Sequence, residues 1–171
     1  MPMAELLIRA EQGADVRAIR KVVSAAFAGV AQSNQMEHLL VDRLRESGAL
    51  AVSLVTEVEG RAVGYVAFSP VTIAGSFCDW YGLAPLAVLP SYQRTGIGSS
   101  LVIAGLESLC GLHAQGCVLL GEPEYYERFG FVPRQDLLVE NVPPEYFLAR
   151  SFSNDYPSGK VAYHPVFALC G

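Results

Sequence analysis

The chain has 171 residues, 51% of them hydrophobic, with 12 Lys and Arg against 17 Asp and Glu and a formal net charge of −5. That length fits one domain, residues 1–171, with a substantial buried core. No apolar run approaches the ~18–20 residues of a membrane span, and an acidic chain without a Lys/Arg-rich tract is a poor match for nucleic acid.

Leu6 to Ala10 alternates as a first strand. Residues 14–28 carry Val16, Ile19, Val22, Val23 and Phe27 at helical spacing, and Asp15 supplies the acid that a helix start favours. The pattern recurs over 35–46 through Met36, Leu39, Leu40 and Leu44. Strands at 51–58 and 62–74 flank Glu59-Gly60, a two-residue hairpin signal. A further strand over 77–88 contains Gly82 and Pro85, which predict a bulge or break inside it. A helix follows from Ser99 to Cys110, closed by Gly111. Strand 116–121, helix 123–129 and strand 131–141 come next, and a last strand lies at 160–168. The irregular stretch 143–159 accommodates a short helix at 145–149. Hairpin strands first, then strands alternating with helices, predict an α+β domain with a mixed sheet.

Between the strand at 77–88 and the helix that follows lies Pro90-Ser91-Tyr92-Gln93-Arg94-Thr95-Gly96-Ile97-Gly98. A strand, a turn with two glycines and a helix start form a backbone loop that can approach a phosphate closely, with unpaired helix N–H groups behind it. Arg94 adds a permanent positive charge. The bare inference is a pyrophosphate-binding turn, and the bland alternative is a tight strand-to-helix turn beside a solvated cation. The spacing fits neither a P-loop, because no Lys follows Gly98, nor a G-x-G-x-x-G dinucleotide loop, because Leu101 stands where the third glycine belongs.

The pattern Q-x-x-G-x-G from Gln93 to Gly98 resembles the acyl-CoA-binding motif of the GCN5-related N-acetyltransferase (GNAT) family. A second element, Tyr126-Glu127-Arg128-Phe129-Gly130-Phe131, resembles that family's Y-x-x-x-G-F signature. With both motifs in order, the resemblance covers about residues 6–168. It is nearest to a bacterial subgroup of predicted, poorly characterised N-acetyltransferases.

The resemblance implies a mostly antiparallel sheet of six to seven strands, about four flanking helices, and a bulged, splayed strand at the acyl-CoA site. It implies that the backbone of Leu86, Ala87 and Val88 flanks the pantetheine arm and polarises the thioester carbonyl. Gln93, Arg94, Thr95, Gly96, Ile97, Gly98 and Ser99 would then hold the pyrophosphate. Thr95 stands where the family often has glycine or a basic residue, which implies a less charge-dependent hold. Tyr126 matches the tyrosine that protonates the leaving thiolate, and its bland alternative is packing under the turn with Tyr125 or Phe129. The implied function is transfer of acetyl from acetyl-CoA, a cosubstrate, to a primary amine. A non-catalytic acyl-CoA-binding or sensing module is the alternative.

The general base stays open among Asp79, Tyr81, Glu122 and water. Cys78, Cys110, Cys117 and Cys170 have no C-x-x-C pairing and no His at ligand spacing, so no metal is expected and each reads as a reduced, partly buried residue. His38, His113 and His164 are scattered away from both motifs. The N-terminus lacks a basic region followed by an apolar stretch and a cleavage site, so a cytoplasmic protein is expected. The acceptor, a small-molecule or peptide amine, is expected to be chosen by 29–37 and 143–159. The aromatic-rich latter segment could equally be a homodimer contact.

Overall fold

The computed structural model describes residues 5–170, in the order β1 (Leu6–Ala10), α1 (Val16–Phe27), α2 (Glu37–Glu46), β2 (Val52–Val58), β3 (Arg61–Ile73), β4 (Ser76–Val88), α3 (Ile97–Gly111), β5 (Gly116–Leu120), α4 (Pro123–Tyr126), β6 (Val132–Pro133), β7 (Leu137–Leu138), β8 (Phe147–Ser151), β9 (Gly159–Ala162) and α5 (Val166–Cys170). The sheet runs β1-β2-β3-β4-β5-β8-β6, and β9 joins the far end of β3 while also pairing with β7. Along the main path every pair is antiparallel except β4 with β5.

The sheet is buried on both sides because β3 is apolar at nearly every position. On one face Ile19, Val22 and Val23 of α1 pack against Val55, Tyr65, Ala67 and Ala87. On the other, Leu101, Val102, Leu106 and Leu109 of α3 pack against Val66, Phe68, Leu83 and Leu119. Gly105 lets α3 sit this close, since a Cβ there would lie 2.2 Å from Cε2 of Phe68. Phe68 is fully buried and cannot swing out. Gly105→Ala should therefore destabilise the fold by ~1–3 kcal/mol through overpacking, read as a lowered unfolding midpoint. An unchanged midpoint would show that the ring repacks freely.

The expected bulge is present, displaced from Gly82. Val66 pairs with Leu86 and Phe68 with Leu83, so Ala84 and Pro85 together face Ala67. A second irregularity in β4 sets Asp79 at a left-handed φ of 63°.

Three expectations are corrected. The single strand at 131–141 is instead two short strands, β6 and β7, because a tight turn closed by the Arg134–Asp136 ion pair at 2.9 Å interrupts it. The helix at 145–149 is a 3-10 turn at 144–146 followed by β8, since Phe147, Leu148 and Ala149 gain full burial by pairing with the edge of β5. The final strand at 160–168 stops at Ala162. Pro165 lacks the N–H a ladder needs, and His164 Nδ1 accepts the Val166 N–H at 3.2 Å where α5 begins.

These changes also spend the aromatic residues of 143–159. Phe147 is buried, Tyr156 lies 6.0 Å from the Trp80 ring, and Arg134 stacks 4.1 Å above Tyr156. Tyr146 stays 40% exposed.

Candidate functional site

β4 and β5 pair only at Trp80, Tyr81 and Gly82, opposite Gly116, Cys117 and Val118. Beyond Gly82 the strands part, and β4 keeps a partner on its β3 side only. The Leu89 N–H donates to Val63 O at 2.9 Å, so by strand alternation Ala87 also turns its backbone to β3. Leu86 and Val88 turn theirs into the gap. Of the three backbone groups singled out in the sequence, two therefore face the splay and Ala87 faces away, with its side chain buried toward α1.

At the end of β4 the chain makes a 3-10 turn at 90–92 and enters α3 through Gly96. The φ of Gly96 is +90°, a left-handed conformation that costs a side chain roughly 1–2 kcal/mol. Arg94 adopts φ 63° in the same loop, a left-handed conformation uncommon for non-glycine residues. Gln93 and Thr95 brace the loop from within. Gln93 Nε2 donates to Val88 O at 3.0 Å, and Thr95 Oγ1 donates to the Tyr92 carbonyl. The first bond of the helix runs from the Ser100 N–H to Gly96 O, which leaves the N–H groups of Ile97, Gly98 and Ser99 without a partner among the described residues.

An open cleft of about 470 Å³ lies against this turn. Leu86, Val88, Gln93, Arg94, Gly96, Gly98 and Ser99 all reach its wall. Ala87, Thr95 and Ile97 do not, and Ile97 is 3% exposed in the core. A Cβ on Gly98 would stand 3.4 Å from the Tyr125 hydroxyl and 3.8 Å from Val88, inside the cradle. Partnerless N–H groups, glycines at the closest approach and an adjacent guanidinium suit a pyrophosphate.

Three wall residues, Tyr92, Tyr125 and Arg128, were not singled out as ligands in the sequence. Tyr125 meets Ser99 Oγ at 3.1 Å through its hydroxyl, and Arg128 stacks 4.7 Å above the Tyr125 ring. Arg128 follows Tyr125 by three positions, so helical spacing around the Y-x-x-x-G-F element was the signal that pairs them.

Tyr126 sits behind this wall. Its ring packs on Gly121, where a Cβ would come within 2.4 Å of Cε2, and against Tyr125, Phe129 and Phe131 at centroid distances of 4.8, 6.2 and 6.1 Å. Its hydroxyl makes no hydrogen bond among the described residues. Burial pushes the phenol up to about 12, with Tyr125 and Cys117 adding to the shift. The group keeps its proton at any physiological pH, and so can act as an acid and not as a base.

The candidate bases separate in space. Asp79 is exposed and lies seven residues up-strand from Leu86, roughly 20 Å at ~3.3 Å per residue. Its carbonyl accepts the Gln115 N–H at the opposite end of β5. Tyr81 is 8% exposed and packs edge-on against Phe77 at 5.9 Å. Glu122 is exposed two residues beyond β5, where α4 begins, at the mouth of the splay.

Cys117 is buried, and burial pushes its thiol up, which makes it inert. Cys78 is half-buried as expected, whereas Cys110, expected to be partly buried, is exposed. The Cys170 side chain lies outside the described residues. Among the described residues no three His, Cys, Asp or Glu side chains converge to hold a metal ion, and no helix is long and apolar enough to cross a membrane.

Comparison with known proteins bears on this geometry. Residues 49–133, which include β4, the glycine turn, α3 and the tyrosine pair, match the acetyltransferase (GNAT) domain model. YhbS of Escherichia coli K12, an uncharacterized N-acetyltransferase, is 42% identical over 127 residues, spanning 74% of this chain and 73% of that protein. A GNAT family acetyltransferase from Brucella melitensis, solved with acetyl-CoA, superposes with a TM-score of 0.87 at 46% identity, over 96% of this chain and 99% of its own. Escherichia coli YhbS solved with CoA superposes at 0.91 with 35% identity, over 100% and 96%. A glycine turn with partnerless N–H groups, an opened strand pair beside it and relatives this similar over most of their length lead to one assignment: the chain belongs to the GNAT family of acetyltransferases.

Proposed function

We propose that the protein transfers the acetyl group of acetyl-CoA to a primary amine by direct attack, in the cytoplasm. The observation that carries this reading is the continuity of the site. The phosphate-sized cradle at Gly96–Ser99 opens onto the stretch of β4 past Gly82, which pairs with β3 and has left β5. The relatives solved with acetyl-CoA and CoA support the choice of cosubstrate.

In this reading the partnerless N–H groups of Ile97, Gly98 and Ser99 bind the pyrophosphate, with Arg94 and Arg128 adding charge. The N–H groups of Leu86 and Val88 are set before the reaction, and a donor fixed in advance stabilises a developing oxyanion without reorganisation. The acceptor nitrogen forms the C–N bond as the C–S bond breaks. The ammonium proton leaves to water or through Glu122, and the thiolate takes a proton from Tyr126.

Thermal unfolding with saturating acetyl-CoA tests the binding half. At one hundred times its dissociation constant a ligand adds ~2.7 kcal/mol, a rise of roughly 5–10 °C for a chain this size. Arg94→Ala should shrink that rise by several degrees and leave the unliganded midpoint unchanged. No rise at millimolar acetyl-CoA would sink the reading, while a full rise without thiol release from any amine would point to a sensing module.

A further inference from the structure

Where β4 and β5 separate, cavities open on both faces of the sheet. The cleft at the glycine turn lies on the α3 face, because Leu86 and Val88 pack with the α3 cluster. On the opposite face a cavity of about 620 Å³ meets the same gap, bordered by Leu83, Ala84 and Leu120 at the splay and by Val142, Tyr163 and Phe167 from the C-terminal region. Tyr163 is the floor of this second cavity. Its ring lies so close over Gly82 that a Cβ there would come within 2.4 Å of Cε1. The Phe167 ring continues the surface at a centroid distance of 5.0 Å, tilted 46°.

We infer that this second cavity takes the acyl acceptor and selects a primary monoamine on an apolar or aromatic body, with Tyr163 and Phe167 as the selecting side chains. The inference rests on the acetyltransferase reading and adds the acceptor class to it.

Size and chemistry both point that way. Pockets of 300–1,000 Å³ suit compact organic ligands, and hydrocarbon and aromatic side chains dominate this lining. Among the described lining residues the only carboxylate is Glu140, which is 70% exposed and ion-paired with Lys160. A polyamine would therefore bring a second ammonium into an apolar cavity with no uncompensated carboxylate to meet it, and an unpaired buried charge is strongly disfavoured. A single amine aimed at the gap gains from the same surroundings. Desolvation lowers an ammonium's pKa and so raises the fraction of free amine able to attack. The step balances as acyl transfer: the amine nitrogen bonds to the acetyl carbon, the sulfur departs with its electron pair and gains a proton, and the ammonium proton passes to water.

The test uses the full chain with acetyl-CoA and follows thiol release with 2-phenylethylamine, hexylamine, spermidine and an alanyl peptide. The expected result is a kcat/KM at least tenfold higher for the first two amines than for the last two. Phe167→Ala and Leu120→Asp should each raise KM for 2-phenylethylamine at least tenfold, with kcat little changed and the acetyl-CoA thermal shift intact. Leu120 is 47% exposed, so its variant folds even if the Phe167 variant does not. A preference for spermidine or the peptide, or an unchanged KM in Leu120→Asp, overturns the acceptor class and leaves the acetyltransferase reading standing. Thiol release from none of the four amines, with the acetyl-CoA thermal shift present, overturns the inference; extending the screen to further amines then decides the acetyltransferase reading separately.

Discussion

Tyr126→Phe is expected to lower acetyl transfer by ~10²–10⁴-fold, the range for loss of a positioned general acid, while stability and the acetyl-CoA thermal shift stay where they are. The separation follows from how the residue is held. Its ring is fixed by Gly121, Tyr125, Phe129 and Phe131, contacts that phenylalanine preserves. The hydroxyl has no hydrogen-bond partner among the described residues to lose. With the phenol pushed up to about 12 by burial, the acid form is fully present below that value and is lost as pH rises through it. A falling limb of kcat that originates in this group therefore lies near pH 12 and not near 10. Unchanged turnover in Tyr126→Phe would reduce the residue to a packing role, and Tyr125, whose hydroxyl already meets Ser99, would be the next phenol to replace.

The second large effect is expected at Gly98. Valine there should weaken acetyl-CoA binding by ~100-fold or more, equivalent to losing two charge-assisted hydrogen bonds of about 1.5 kcal/mol each. The Cβ itself fits, with the Tyr125 hydroxyl at 3.4 Å, Val88 Cγ2 at 3.8 Å and Leu86 Cδ2 at 4.0 Å. The γ-carbons must then fill the cradle in which the phosphates would lie. The φ of Gly98, unlike that of Gly96, is outside the left-handed region, so the substitution brings no backbone strain. Calorimetric titration with acetyl-CoA, beside the unfolding midpoint of the unliganded variant, checks both halves. Binding within threefold of the parent at an unchanged midpoint would mean that the phosphates lie elsewhere.

The site was legible in the sequence where chemistry depends on neighbours along the chain. Gly96 and Gly98 sit between an apolar strand and an apolar helix, and that order alone specifies an exposed helix start with partnerless N–H groups. The Tyr126 element was equally plain, since a short helix closed by Gly130 needs only its own residues. Pro85 announced an irregular β4, although the extra residue falls at Ala84–Pro85 and not at Gly82, whose lack of a side chain makes room for Tyr163.

What the sequence determined by itself was the class of fold, the hairpins, the main helices and the glycine turn at a helix start, because each follows from period, cap and turn chemistry within a few residues. Tertiary structure alone decided which backbone groups of β4 face the gap, which of two adjacent tyrosines meets the cleft, and that Asp79 lies at the far end of its strand. It also turned 147–151 into a strand and placed Tyr163 and Phe167 beside Ala84, about 80 residues away in the chain. The physical reason is common to all of these. Strand pairing and cavity lining join distant segments whose free energy is realised only when both are in place, so no local pattern encodes the partner.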